Sequence, residues 1–246
     1  MSREQMRTDS YTGKTRKNLT SGMRSRQVQW QSKDSRKHHL CKACGHGNGM
    51  RNTICDWCGE ILLLDASGGV AIWQIGQVSK SHLMALAEGV ARAFGVKAVI
   101  QPAVIPDKNY EREGWSGLAV TPMLNDLLSR QRRGVRLNLG VTASNVVPDS
   151  YHNFLFGMAY MGLSAAVLGI EPLTWDEPSP AKLKKRMLQI AIHELGHCLG
   201  LDHHGYNDGI DCVMIGDEEV DSVEGIDSGT ASFCSLCMKI VRAKLR

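Results

Sequence analysis

His193-Glu194-Leu195-Gly196-His197-Cys198-Leu199-Gly200-Leu201-Asp202-His203 is the stretch around which this chain is read. Positions i and i+4 of a helix share a face, so His193 and His197 can turn their imidazoles toward one metal ion. Glu194, beside the first histidine, reaches a water on such an ion and not the ion itself. Gly200 stands where the helix should end; lacking a Cβ, it takes positive φ at little cost and turns the chain sharply. That turn brings His203 back to the other two. Three protein ligands then leave a fourth position open, as in catalytic zinc sites. An amphipathic helix with unrelated surface histidines is the plain alternative, and it leaves the joint spacing of His, Glu, Gly and His unexplained. Glu218, Glu219 and Glu224 lie where another class of zinc peptidases carries a glutamate as third ligand. Gly200 and His203 favour the histidine.

Working outward, the motif sits on a helix expected over 180–201, with Ser179 as cap and Pro180 in the first turn. Upstream the chain alternates. Apolar, β-branched runs at 70–78, 96–104 and 135–141 read as strands. Leu83, Leu86, Ala87, Val90, Ala91 and Phe94 recur at helical spacing in 80–94, which ends at Gly95. A second helix is expected over 121–133 behind Pro122, and 153–161 and 164–170 read as adjacent strands separated by Gly162. A last helix is expected over 235–244. The pattern predicts an α/β layer followed by a helix that carries the chemistry.

The 246 residues suffice for one sizeable core and a small accessory module. No run approaches the roughly 18 apolar residues of a membrane span, and no apolar leader follows the start, so a cytoplasmic protein is expected. Residues 1–40 hold ten Lys and Arg against three Asp and Glu, a balance of +7, while the whole chain carries +4. This basic segment has few apolar residues to bury and is expected to be a disordered arm. It is either a solvated leader or a contact for nucleic acid or an acidic protein.

Eight cysteines stand at 41, 44, 55, 58, 198, 212, 234 and 237. Six form C-x-x-C pairs, which in a reducing compartment read as zinc ligands. Cys41, Cys44, Cys55 and Cys58, with ten residues between the pairs, predict a small four-cysteine zinc knuckle over 41–62. Gly45 and Gly59 follow the pairs and relieve crowding where backbone N–H groups turn toward sulfur. The knuckle resembles short zinc ribbons and small fingers that bind RNA or ubiquitin, and Trp57 is either a contact or a cover for its core. Cys198 lies about 100° around the helix from His197 and is expected to be core.

From about Val70 to the end the chain resembles the archaemetzincins, zinc peptidases of the metzincin type. Their signature is H-E-x-x-H-x-x-G-x-x-H followed at once by Cys, then Cys-x-Met, then C-x-x-C. The first part is present in full, Cys212-Val213-Met214 supplies the second and Cys234-Ser235-Leu236-Cys237 the third. The resemblance implies an α/β (α+β) zincin-like fold: a mixed twisted sheet, an active-site helix and a C-terminal subdomain with a Met-turn. It implies a catalytic zinc on His193, His197 and His203, with Glu194 as general base and Met214 as an apolar floor. It also implies a second, structural zinc, held in the family by four cysteines. Here His204 replaces one of them and the gap to Cys212 is three residues longer. Imidazole is a normal zinc ligand, so His204, Cys212, Cys234 and Cys237 make a Cys₃His set, unless the longer loop has given up the ion and the thiols simply pack.

The function expected is zinc-dependent hydrolysis of peptide bonds in a peptide or protein substrate, with up to three zinc ions. The strand at 153–161 is expected to form part of the cleft wall beside an extended substrate. The rival is a binding protein that uses the basic arm and knuckle on nucleic acid or protein, with the body as a degenerate scaffold. The intact Glu194 favours the enzyme, because a scaffold has no use for it.

Overall fold

The computed structural model describes residues 38–40, 46–49 and 57, and residues 68–246 apart from 107, 112–115, 132–133, 149–153, 206–207 and 217–221. The chain divides into two compact units, Met1–Leu62 and Leu63–Arg246. In the first, β1 (His38–Leu40) pairs antiparallel with β2 (Gly47–Gly49), His38 opposite Gly49. His46 stacks on the Trp57 ring at 5.7 Å between centroids, and Trp57 is 71% exposed. The expected arm before residue 38 and Cys41, Cys44, Cys55 and Cys58 lie outside the described residues.

The second unit is a layered α/β body. Strands β3 (Val70–Ile75), β4 (Ala98–Val104), β6 (Leu137–Thr142), β8 (Gly157–Ala159) and β9 (Ala165–Gly169) form one sheet in the order β4-β3-β6-β9-β8. The first four strands in that order run parallel and β8 joins antiparallel at the edge, Met158 opposite Val167, so the sheet is mixed. β6 and β9 are buried along their whole length. Continuous apolar runs are what a parallel strand needs when helices cover both faces. Alternate residues supply the two faces. Trp73, Ile75 and Val167 pack with Val120, Met123, Leu124 and Leu127 of helix α2 (Val120–Ser129). Helices α1 (Lys80–Phe94) and α3 (Pro180–Cys198) pack together and against the sheet. They meet where Gly89 lies against Leu188. A short pair, β5 (Leu118–Ala119) with β7 (Val146–Val147), stands apart from the sheet.

The boundaries move from the expected ones for local reasons. The α3 helix starts at Pro180, with the Ser179 hydroxyl accepting from Lys182 N at 3.3 Å, but it stops at Cys198 and not at Leu201. Gly200 at φ 80° turns the chain and lets Leu201 N donate back to the Gly196 carbonyl at 3.1 Å. Of the strand expected over 153–161, Gly157–Ala159 joins the sheet among the described residues, and Leu155 makes a bridge to Val146. Gly162, at φ 71°, is in the turn between β8 and β9. The helix α4 (Val223–Ser228) was not expected, and α5 (Ser235–Leu245) closes the chain. Among the described residues no helix is long and apolar enough to cross a membrane.

Candidate active site

The α3 helix delivers His193 and His197 from one face, and the αL turn at Gly200 returns His203 to them. Their three Nε2 atoms lie 2.9–3.1 Å apart. The other ring nitrogens decide what those atoms are. Nδ1 of His193 lies 2.8 Å from the Val213 carbonyl, and Nδ1 of His197 lies 2.8 Å from the Leu201 carbonyl. A carbonyl can only accept, so each Nδ1 carries the proton and each Nε2 presents a lone pair. Burial pushes His193 down to about 4, against the Val213 hydrogen bond, and burial lowers His197 as well. Both rings are therefore neutral near pH 7. Lone pairs facing one another at this distance repel, and a cation between them removes the repulsion. Tetrahedral zinc at its usual Zn–N length sets such nitrogens about 3.3 Å apart, close to the spacing present. The donor set fits a zinc ion.

Glu194 is 8% exposed, and burial raises its carboxyl to about 8. A Cβ on Gly157 would stand 2.8 Å from Glu194 Cγ, so β8 passes directly over this side chain. Beneath the histidines, Met214 is fully buried, and its Sδ would lie 2.5 Å from a Cβ on Gly196. The glycine inside the motif thus makes room for the methionine between the two helical histidines. The three histidines and Glu194 open onto a cleft of about 1110 Å³. Its lining includes Phe156 to Ala159, then Val213, Ile215 and Gly216, and also Gln189, Ile190 and Ile226.

A second cluster lies on the far side of the same turn. The candidate ligand atoms of His204, Cys212, Cys234 and Cys237 all fall within 4.8 Å of one another. The His204 Nε2 is 3.1 Å from Cys237 Sγ and 3.5 Å from Cys234 Sγ. Cys234 N donates to Cys212 Sγ at 3.2 Å, and Cys237 N lies 3.5 Å from Cys234 Sγ. Cys234 caps α5, where the helix dipole favours a thiolate. Burial works against ionising it, but hydrogen bonds from the Cys237 amide, the Cys237 and Cys212 side chains and His204 together hold the thiol low. Cys237 goes the other way, raised by burial and by the neighbouring sulfurs. Three thiolates share this space only if a cation neutralises them, so this set also fits zinc. Glu224 is exposed on α4 and belongs to neither cluster. Cys198 is buried at the back of α3, in neither cluster.

Reading the sequence did not reveal the anchor of the active-site helix. Arg186, two turns before His193, is completely buried. Its guanidinium donates to both oxygens of Asp176 and both of Asp227 at 2.5–2.8 Å, and to the Leu173 carbonyl at 2.8 Å. A buried arginine looks like any surface charge in a sequence; its only signal was an apolar-face position in a helix otherwise rich in lysine.

Against known proteins, the profile of Peptidase family M54 matches residues 133–243, which hold both clusters. The archaemetzincin of Archaeoglobus fulgidus is 28% identical over 168 residues, 67% of this chain and 94% of that one. A crystal structure of the Archaeoglobus fulgidus archaemetzincin complexed with malonate superposes with TM-score 0.57 at 27% identity, over 70% of this chain and 99% of that one. The chain is similar to the archaemetzincins in sequence and in fold. The archaemetzincin of Methanopyrus kandleri has the same fold, with TM-score 0.60 at 22% identity over 74% of this chain and 99% of its own. Archaemetzincins are zinc metallopeptidases, and the mixed α/β fold of this chain matches theirs. Where the archaemetzincin signature carries a cysteine after its third histidine, this chain turns the His204 ring into the cysteine cluster.

Proposed function

We propose that this chain hydrolyses peptide bonds with a zinc ion held by His193, His197 and His203 and with Glu194 as general base. The observation that carries the reading is the triangle of three Nε2 atoms, two of them fixed in tautomer by backbone carbonyls. A zinc ion held there supplies Lewis acidity, lowering the pKa of a water and polarising the scissile carbonyl. Glu194 takes the proton from the attacking water and returns it to the departing amine. Its burial favours this exchange, because a carboxylate out of bulk water has a raised proton affinity. The free edge of β8 pairs with an extended substrate, and the cleft below receives its side chains. Met214 is the Met-turn, an apolar support under the histidines and not a ligand.

A second zinc, structural and closed, is assigned to His204, Cys212, Cys234 and Cys237, and a third to Cys41, Cys44, Cys55 and Cys58. The division of labour is then a basic arm over 1–40, a zinc knuckle over 41–62 and the peptidase body over 70–246. Metal analysis of protein purified without added zinc tests the assignment. Wild type should hold about three ions and His197→Ala about two. Glu194→Gln should keep all of them and lose turnover on a mixed peptide pool. A count unchanged in His197→Ala refutes the histidine site and moves the binding-protein reading to the front. Turnover retained by Glu194→Gln refutes its role as base.

A further inference from the structure

Beyond the three histidines, we infer that Gly216 is a positioning residue for His203: its missing side chain sets where the third imidazole stands. The inference rests on the zinc site proposed above. A Cβ built on Gly216 would lie 2.5 Å from His203 Cδ2, 2.7 Å from Cγ and 2.7 Å from Nε2. Carbon atoms in contact stand about 3.5–4.0 Å apart, so an added methyl displaces the ring by about 1 Å. An imidazole is rigid and has no flexible end to yield, and the atom nearest the metal is among those struck. Zinc sites hold their ligand distances to about ±0.2 Å, so a displacement of this size takes His203 out of coordination.

Gly216 cannot easily retreat instead. His204 N donates to the Met214 carbonyl at 2.8 Å, Gly216 N donates to the His204 carbonyl at 3.3 Å, and His204 and Ile215 form a parallel bridge. This small ladder ties the Met214–Gly216 segment to the residue next to His203. The same segment carries Met214 beneath the helix, so moving it disturbs the floor as well. The backbone of Gly216 is not in the left-handed region. Close approach, and not backbone strain, is therefore what asks for glycine here. His203 is the one ligand of the three on an exposed loop, and among the described residues no carbonyl holds its Nδ1; the pressure of the Gly216 backbone on its ring takes the place of the carbonyl bonds that orient His193 and His197.

The test is a double-mutant cycle read by zinc affinity, with a chelating indicator as competitor, on the full chain. Gly216→Ala should weaken the tightest histidine-site binding about 10–100-fold, the range seen when a ligand's orienting contact is lost. With cobalt in place of zinc, its visible bands should weaken toward those of His203→Ala. In the His203→Ala background the imidazole is gone, and adding Gly216→Ala should change affinity less than about twofold. Equal losses from Gly216→Ala in both backgrounds overturn the inference, because the methyl would then be acting on the fold and not on the ring. So does a wild-type affinity in Gly216→Ala while His203→Ala is impaired. If His203→Ala itself binds zinc as wild type does, the proposed site fails and not merely its support. Gly216→Ser, measured beside its melting curve, keeps the comparison available should the alanine variant fold poorly, and it should reproduce the loss.

Discussion

At Gly157 a hydrogen stands where a methyl would lie 2.8 Å from Glu194 Cγ, 2.8 Å from Ile190 Cγ2 and 2.9 Å from the Val167 carbonyl oxygen. The last contact is backbone and cannot give way, so a side chain here pushes the strand off the helix or the carboxylate out of place. Gly157→Ala should therefore lower kcat/KM by about 10²-fold, the cost of misplacing a reacting group by about 1 Å. Zinc content should not change, since the nearest atoms to this position belong to Glu194, Ile190 and Val167 and not to a histidine. Steady-state kinetics with metal analysis on the same sample checks it; an unchanged kcat/KM would mean that β8 does not confine Glu194. Neither Gly157 nor Gly216 stood out in the sequence. A glycine with ordinary φ announces nothing by itself, and close approach exists only once two segments far apart in the chain have met. Gly200 is the contrasting case: its role is a local turn, and its place after a histidine helix was enough to expect one.

Among the elements, the α3 helix must hold His193 and His197 still while its N-terminal half is mostly exposed. Arg186 does this by gripping Asp176 on one side and Asp227 of α4 on the other. Gln189, one turn on, adds a hydrogen bond to the Ile226 carbonyl at 2.8 Å. Removing one partner of a buried charge leaves the other uncompensated. Asp227→Asn should cost about 2–3 kcal/mol, less than a fully buried pair because its carboxylate is 22% exposed. The pH dependence has a definite sign. The hydrogen bond from Arg186 holds Asp227 down to about 2, and the same guanidinium holds Asp176 well below the usual range. A carboxylate whose folded pKa is depressed stabilises fully above its unfolded value near 3.9 and loses that contribution as pH falls through the folded one. The stability gap between wild type and Asp227→Asn, measured by denaturant unfolding, should be constant from pH 5 to 7 and close between about 4 and 2. A gap that persists at pH 2 would mean the loss is one of packing and not of charge.

For the whole molecule, one turn joins two chemical centres. Cys212 faces the cysteine cluster, the Val213 carbonyl holds His193, Met214 lies under the motif helix, and Gly216 bears on His203. The adjacent His203 and His204 point their rings into different clusters. With the Cys₃His zinc in place this turn is cross-linked to α5. Cys237→Ser should remove about one zinc per chain and lower Tm by about 5–10 °C, read by metal analysis and calorimetry. Chelation of the wild type should lower Tm at least as far, and adding zinc back should restore it. Two ions retained by the body after Cys237→Ser would remove the case for a site at those thiols.

The sequence by itself determined what local geometry governs: the α3 and α1 helices with their start and stop signals, the apolar runs that become strands, and the meeting of His193, His197 and His203. Helical spacing and one glycine turn are enough for these, because each depends on residues fewer than about a dozen positions apart. The resemblance carried by the motif and its cysteines added the family and the mixed sheet. Tertiary structure alone decided the rest. It set the antiparallel seat of β8 over Glu194, the carboxylate grip on buried Arg186, the α4 helix between, and the two glycines whose missing side chains let backbone approach the site. Apart from the short α4 helix, these are contacts between different elements, and burial, which turns an ordinary Arg or Gly into a decisive one, comes into being only when those elements pack.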